Sequence, residues 1–215
     1  MKNTNNITEL VCILDRSGSM SGLESDTVGG FNAMIGKQRD QGGACFVSTV
    51  LFNSESSVLH DRVPIERVEP LTARDYTPAG CTALLDAIGG AIRHIGNIHK
   101  YARPEDVPAH TIFVITTDGL ENASTRYDSA AVKRMIERQK EEHGWEFLFL
   151  AANIDAVETA AHIGISEDRA ANYRASKTGT KRMFGAMAEA VSAMRCCKEP
   201  PRDWAAEIER DAGRE

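Results

Sequence analysis

The sequence predicts an α/β fold: a Rossmann-like, doubly wound, mainly parallel sheet of about six strands, with one antiparallel edge strand and helices on both faces. Three observations predict it. Four short segments, rich in β-branched or aromatic residues and almost continuously apolar, have the character of strands covered on both faces. Amphipathic helical patterns fall between and after them, and such alternation implies parallel strands joined by crossover helices. A weaker stretch of alternating polarity follows the second strand at hairpin distance.

The buried strands are residues 10–14, 45–52, 111–117 and 145–152, and residues 57–65 form the edge strand that closes a hairpin with 45–52. Helical periodicity covers residues 28–38, 83–100, 130–142 and 181–194. Residues 172–175, just before the last long helix, supply a sixth strand of low apolar content. Pro200 and Pro201 stop that helix, because proline lacks an N–H and its ring clashes with the preceding turn. Residues 1–199 therefore read as one domain and 200–215 as a tail with a short helix. Trp204 and Ile208, four residues apart, make an apolar stripe better suited to docking on its own domain than on a partner.

Apolar residues make up 42% of the 215 positions and charged residues 26%, values of ordinary globular chains. A net charge of −6 argues against a nucleic-acid partner, which requires clustered Lys and Arg. The basic cluster from Lys177 to Arg182 reads as a solvated helix start. No apolar run reaches the roughly 18 residues that span a bilayer, and the polar N-terminus lacks the pattern of a secretory signal. Five cysteines without paired spacing fit a reducing compartment, so a cytoplasmic location is expected. Cys12 and Cys45, inside apolar runs, behave as small core residues.

The chemistry concentrates in Asp15-Arg16-Ser17-Gly18-Ser19, where an apolar strand ends in a carboxylate followed by hydroxyls at alternate positions. At the carboxyl end of a strand in an open α/β sheet such groups face the crevice where ligands bind. Thr82, at the start of a helix, and Asp118, at the end of the third strong strand, supply further oxygen donors. Hard oxygen donors without sulfur or imidazole suit Mg²⁺, Mn²⁺ or Ca²⁺. Singly, each has a plain structural alternative: Ser17 and Ser19 as turn residues, Thr82 as a helix N-cap, Asp118-Gly119 as a turn. Jointly, five donors at strand and helix ends on one edge favour a metal site. Asp155 fits an N-cap with Glu158 reciprocating, and stays outside the site. The histidines form no ligand pair, and Met183, Met187 and Met194 with Phe184 and Val191 read as a core-facing stripe. Cys196-Cys197, near a helix end, is a weak candidate for oxidation.

This set resembles the von Willebrand factor type A domain, in its intracellular bacterial form, with its metal-ion-dependent adhesion site. The resemblance extends over most of the chain and implies that Asp15, Ser17, Ser19, Thr82 and Asp118 surround one cation, with a coordination position left to water or to a partner carboxylate. It implies a non-enzymatic protein-binding module whose partner presents Glu or Asp, in the setting of an AAA-type ATPase or a stress-response assembly. Leu120, Glu121 and Asn122 would flank the ion and tune partner choice. Cys81 departs from the family, where Gly more often precedes the Thr. Two alternatives stay open: a metal-assisted phosphotransferase or hydrolase using Asp15 as nucleophile, although Ser17 stands where such phosphotransferases place a second Asp, and a metal-free scaffold of the same fold.

Overall fold

Every residue of β1 (Thr8–Asp15) is buried, which is why its apolar run is nearly unbroken. In the computed structural model, which describes residues 6–196 and 199–213, β1 lies inside a six-stranded sheet of order β3-β2-β1-β4-β5-β6. The other strands are β2 (Cys45–Phe52), β3 (Ser56–Pro64), β4 (His110–Thr117), β5 (Glu146–Ala151) and β6 (Ala170–Asn172). All pairings are parallel except the β2–β3 hairpin at the edge. Side-chain alternation divides the core in two. Leu10, Cys12 and Leu14 pack under α1 (Glu24–Asp40) and α5 (Lys177–Arg195); Val11 and Ile13 pack under α2 (Leu84–Tyr101), α3 (Ser129–His143) and α4 (Ala156–His162).

Chain direction reverses beside β1. The chain leaves β1 through α1 for β2 on one side, whereas β4 pairs on the other, so the loops after β1 and β4 part and leave a crevice at their carboxyl ends. That crevice receives the candidate site. The same face is closed by α1 and α5, which approach so tightly at Gly30 that a Cβ there would fall 2.3 Å from the Phe184 ring. Met183, Phe184, Met187, Val191 and Met194 are buried on this face, as their helical spacing predicts.

Some boundaries differ from expectation, each for a tertiary reason. Strand β1 begins at Thr8, two residues early, because the fully buried Glu9 is paired by residues of β3 and α2. The sixth strand falls at Ala170–Asn172 rather than 172–175, with its register set by β5. Helix α4 was not among the expected helices; Asp155 caps it, accepting the Glu158 N–H at 2.9 Å. The short α6 (Ala206–Ala212) packs on α5 and β6, with Ile208 only 1% exposed and Arg182 paired to Asp211, so the apolar stripe docks on its own chain.

Candidate metal centre

The Asp15 carboxylate closes the loop after β1. Its Oδ1 accepts the Ser17 N–H at 2.6 Å, an Asx turn that swings the following hydroxyls over the strand end, and its Oδ2 accepts the Thr117 hydroxyl at 2.6 Å. The Ser17 and Ser19 hydroxyl oxygens are 3.1 Å apart, and Ser19 Oγ donates to Asp118 Oδ1 at 2.5 Å. Four of the five expected residues thus form one connected group. Thr82 enters from the loop before α2: a Cβ built on Gly119 would lie 3.7 Å from both Ser19 Oγ and Thr82 Oγ1, so the two hydroxyls flank the same glycine. The Thr82 loop is tied to the Ser17 loop by Gly18 N–H donating to Gly80 O at 3.1 Å and Ala79 N–H donating to Arg16 O at 3.0 Å. Gly80 takes φ +77°, a conformation that a side chain would strain.

Thr82 is not a helix cap. Helix α2 begins at Leu84 with Ala83 at its N-cap position and no side-chain cap bond from that residue. The end is served from the loop after β4 instead: Leu85 N–H donates to Glu121 Oε2 at 2.9 Å and Asp86 N–H to Ser124 Oγ at 3.0 Å. Asn122 clasps Thr82 from both sides, its Oδ1 accepting Thr82 N–H at 2.9 Å and its own N–H donating to Thr82 O at 3.0 Å. Glu121 and Asn122, expected to flank the ion, also brace the Thr82 loop through these bonds and leave the Thr82 hydroxyl available. Leu120 stays on the rim, 65% exposed.

The two carboxylates form the floor. Asp15 is 1% exposed and Asp118 2%. Burial raises the Asp118 pKa, the hydrogen bond from Ser19 opposes the shift, and the negative charge of Asp15 adds to it. Asp118 Oδ2 is buried without a hydrogen-bond partner, while Gly18 and Ser19 above it are exposed. A buried acceptor beside a second carboxylate and under three hydroxyls fits a hard divalent cation entering from solvent. Among the described residues no group of three or more His, Cys, Asp or Glu side chains is arranged to hold a metal, so a site here depends on hydroxyls.

The remaining candidates have structural partners. His60 pairs with Thr49, His94 with Asp61 and His99 with Glu9. Burial pushes the thiol of Cys45 up to about 12 and that of Cys12 higher still. Cys196 is exposed, and Cys197 lies outside the described residues. Sequence reasoning overlooked Tyr76, buried with its hydroxyl donating to the main-chain oxygen of Asp15, and Thr117. Their signal was position: Tyr76 precedes the Thr77-Pro78 turn of the Thr82 loop, and Thr117 precedes Asp118.

No protein-family model and no curated protein sequence matches the chain. Solved structures do. The von Willebrand factor type A protein from Catenulispora acidiphila superposes with a TM-score of 0.58 at 14% identity, over 88% of this chain and 43% of that one. Proximal thread matrix protein 1 of the mussel byssus, with a zinc-occupied MIDAS motif, gives 0.58 at 12% identity, over 89% and 47%. Manganese-loaded TRAP protein of Plasmodium vivax gives 0.57 at 14% identity, over 84% and 72%. The chain thus spans less than half the length of the first two. At such identities the likeness is one of architecture, and with the sheet order and antiparallel edge described above it shows that the chain adopts the fold of von Willebrand factor type A domains.

Proposed function

We propose that the chain is a divalent-cation-dependent protein-binding module, in which Asp15, Ser17, Ser19, Thr82 and Asp118 hold Mg²⁺, with Mn²⁺ or Ca²⁺ as substitutes. The observation that carries this is the gathering of five oxygen donors from three loops around a buried, unpartnered Asp118 Oδ2. Two fold neighbours, one with a zinc-occupied MIDAS motif and one manganese-loaded, support a divalent ion in general. When bound, the ion supplies concentrated positive charge and a coordination position open to a carboxylate from a partner.

The chain's own residues do the rest. The Asx turn of Asp15 orients Ser17 and Ser19, the Asn122 clasp fixes Thr82, and the two buried carboxylates balance the cation's charge. Exposed Leu120, Gly80 and Cys81 surround the opening and would meet the partner around its Glu or Asp. The setting we propose is cytoplasmic, beside an AAA-type ATPase or in a stress-response assembly, as the family resemblance implies. A binding role suits Asp15 better than nucleophilic attack, because it is 1% exposed and both of its oxygens already accept hydrogen bonds.

The test has two steps. Calorimetric titration with Mg²⁺ and Mn²⁺ should show binding that Thr82→Ala weakens and Asp15→Asn abolishes. An identified partner should then bind in Mg²⁺ and not in EDTA, and changing its one contact Glu or Asp to Ala should cost about 30-fold or more in affinity. Equal partner binding in Mg²⁺ and EDTA, for wild type and Thr82→Ala alike, would rule out an interaction through the ion.

A further inference from the structure

The parallel ladder continues one residue past the ends of β4, β5 and β6. Ala152 N–H donates to Thr117 O at 3.1 Å and Tyr173 N–H to Ala151 O at 2.9 Å, so Asp118, Ala152 and Tyr173 stand in one row across the sheet. Two-residue alternation puts the row on the face covered by α1 and α5, in whose core Ala152 and Tyr173 are packed. The middle residue of the row, Ala152, contributes only a methyl group. With strands about 4.8 Å apart, that leaves the Tyr173 ring room to lean toward Asp118.

Both groups carry an unmet demand. Tyr173 is 2% exposed and its hydroxyl has no hydrogen-bond partner; the same holds for Asp118 Oδ2. One is a donor and the other an acceptor, and each buried polar atom left unpaired costs about 1–3 kcal/mol. Burial raises the Tyr173 phenol well above its ordinary pKa, and the charge of Asp118 is the next influence, ahead of Tyr76 and Asp15, which marks them as electrostatic neighbours. Tyr76 belongs to the same core cluster, its hydroxyl on the Asp15 main-chain oxygen.

We propose that Tyr173 is a positioning residue of the cation site: its buried hydroxyl donates to Asp118 Oδ2, whose second lone pair stays open to the ion, and so fixes the orientation of the carboxylate. The proposal rests on the cation-site reading above. Outer donors of this kind orient ligating carboxylates, and their loss typically costs about 10–100-fold in metal affinity. Because the Tyr173 hydroxyl is buried without a partner, removing it should not destabilise the fold itself.

The test compares wild type, Tyr173→Phe and the exposed control Tyr101→Phe. Calorimetric titration with Mn²⁺ should give about 10-fold weaker binding for Tyr173→Phe and no change for the control. Thermal unfolding in EDTA should find Tyr173→Phe at least as stable as wild type. A second readout uses the unmutated protein: Tb³⁺ in the site should show emission excited through tyrosine, reduced in Tyr173→Phe. The tryptophans are remote from the site, Trp145 just before β5 and Trp204 on the main-chain oxygen of Asp168, ahead of β6. Unchanged Mn²⁺ affinity in Tyr173→Phe, or Mn²⁺ binding in wild type without tyrosine-excited Tb³⁺ emission, would overturn the positioning role and leave the cation site standing. Absence of Mn²⁺ binding in wild type would overturn both.

Discussion

Asp118 combines a cost to the fold with the role proposed for it in holding a cation. It is buried beside Asp15, with one oxygen held by Ser19 and the other unpaired. A carboxyl whose pKa is raised on folding binds its proton more tightly in the folded chain than in the unfolded one. Metal-free stability therefore falls as pH rises from the ordinary value of 3.8 through the raised folded value, then levels off. Asp118→Asn should raise the metal-free melting temperature at neutral pH and abolish the increase expected of wild type in millimolar Mg²⁺. In wild type that increase should shrink as acidification protonates Asp118, since proton and cation compete for it. Thermal unfolding at several pH values, with Mg²⁺ or EDTA, measures both effects. A variant no more stable than wild type in EDTA would show that the buried charge costs the fold nothing.

At the scale of elements, the site is held by the way two loops finish one helix. Glu121 lies after β4 yet accepts the N–H of Leu85 in the first turn of α2, together with the N–H groups of Ala123 and Ser124 and the Ser124 hydroxyl. Glu121→Ala should cost about 1–2 kcal/mol in urea denaturation, in the range of a lost helix cap, and weaken metal binding by loosening Thr82. Stability unchanged within 0.5 kcal/mol, about the scatter of ordinary surface substitutions, would show that water replaces the carboxylate there. The local sequence suggested Thr82 itself as the cap because Thr is a favoured N-cap residue. A carboxylate 36 residues beyond Leu85 took that role, and no pattern within the helix announces such an exchange.

Across the whole molecule, one buried acid joins three elements at the sheet end opposite the site. Glu9 of β1 is 0% exposed; Arg62 of β3 donates to it at 2.7 Å, and His99 of α2 lies 3.5 Å from it. Arg62 reaches it from a backbone in the left-handed region, φ 49°, at an irregular stretch of the edge strand, and its guanidinium covers the Phe46 ring at 4.8 Å. Removing one partner of a buried pair leaves the other charge uncompensated. Arg62→Ala should cost about 3 kcal/mol, the low end for buried pairs because the Arg62 side chain is 22% exposed. Urea denaturation would measure it, and Mg²⁺ affinity should stay unchanged because the pair lies at the far end of β1.

What the sequence determined by itself follows from chemistry that local order encodes. Continuous apolar runs marked the central strands, alternation marked the edge hairpin, helical spacing marked the Met183 to Met194 stripe, and Asp155 announced its cap. The DxSxS run with Thr82 and Asp118 was legible because each donor sits at an element's end, where the fold class dictates which edge it faces. Tertiary structure alone decided what depends on partners distant in the chain. Glu9 extends β1 only because β3 and α2 deliver Arg62 and His99; Glu121 and Asn122 became braces only because the loop after β4 lies over the start of α2. Tyr173 came into one row with Asp118, across Ala152, because the register of three strands set them there. Burial and pairing are properties of the assembled sheet, and a polar residue in a sequence carries no mark of which distant group will meet it.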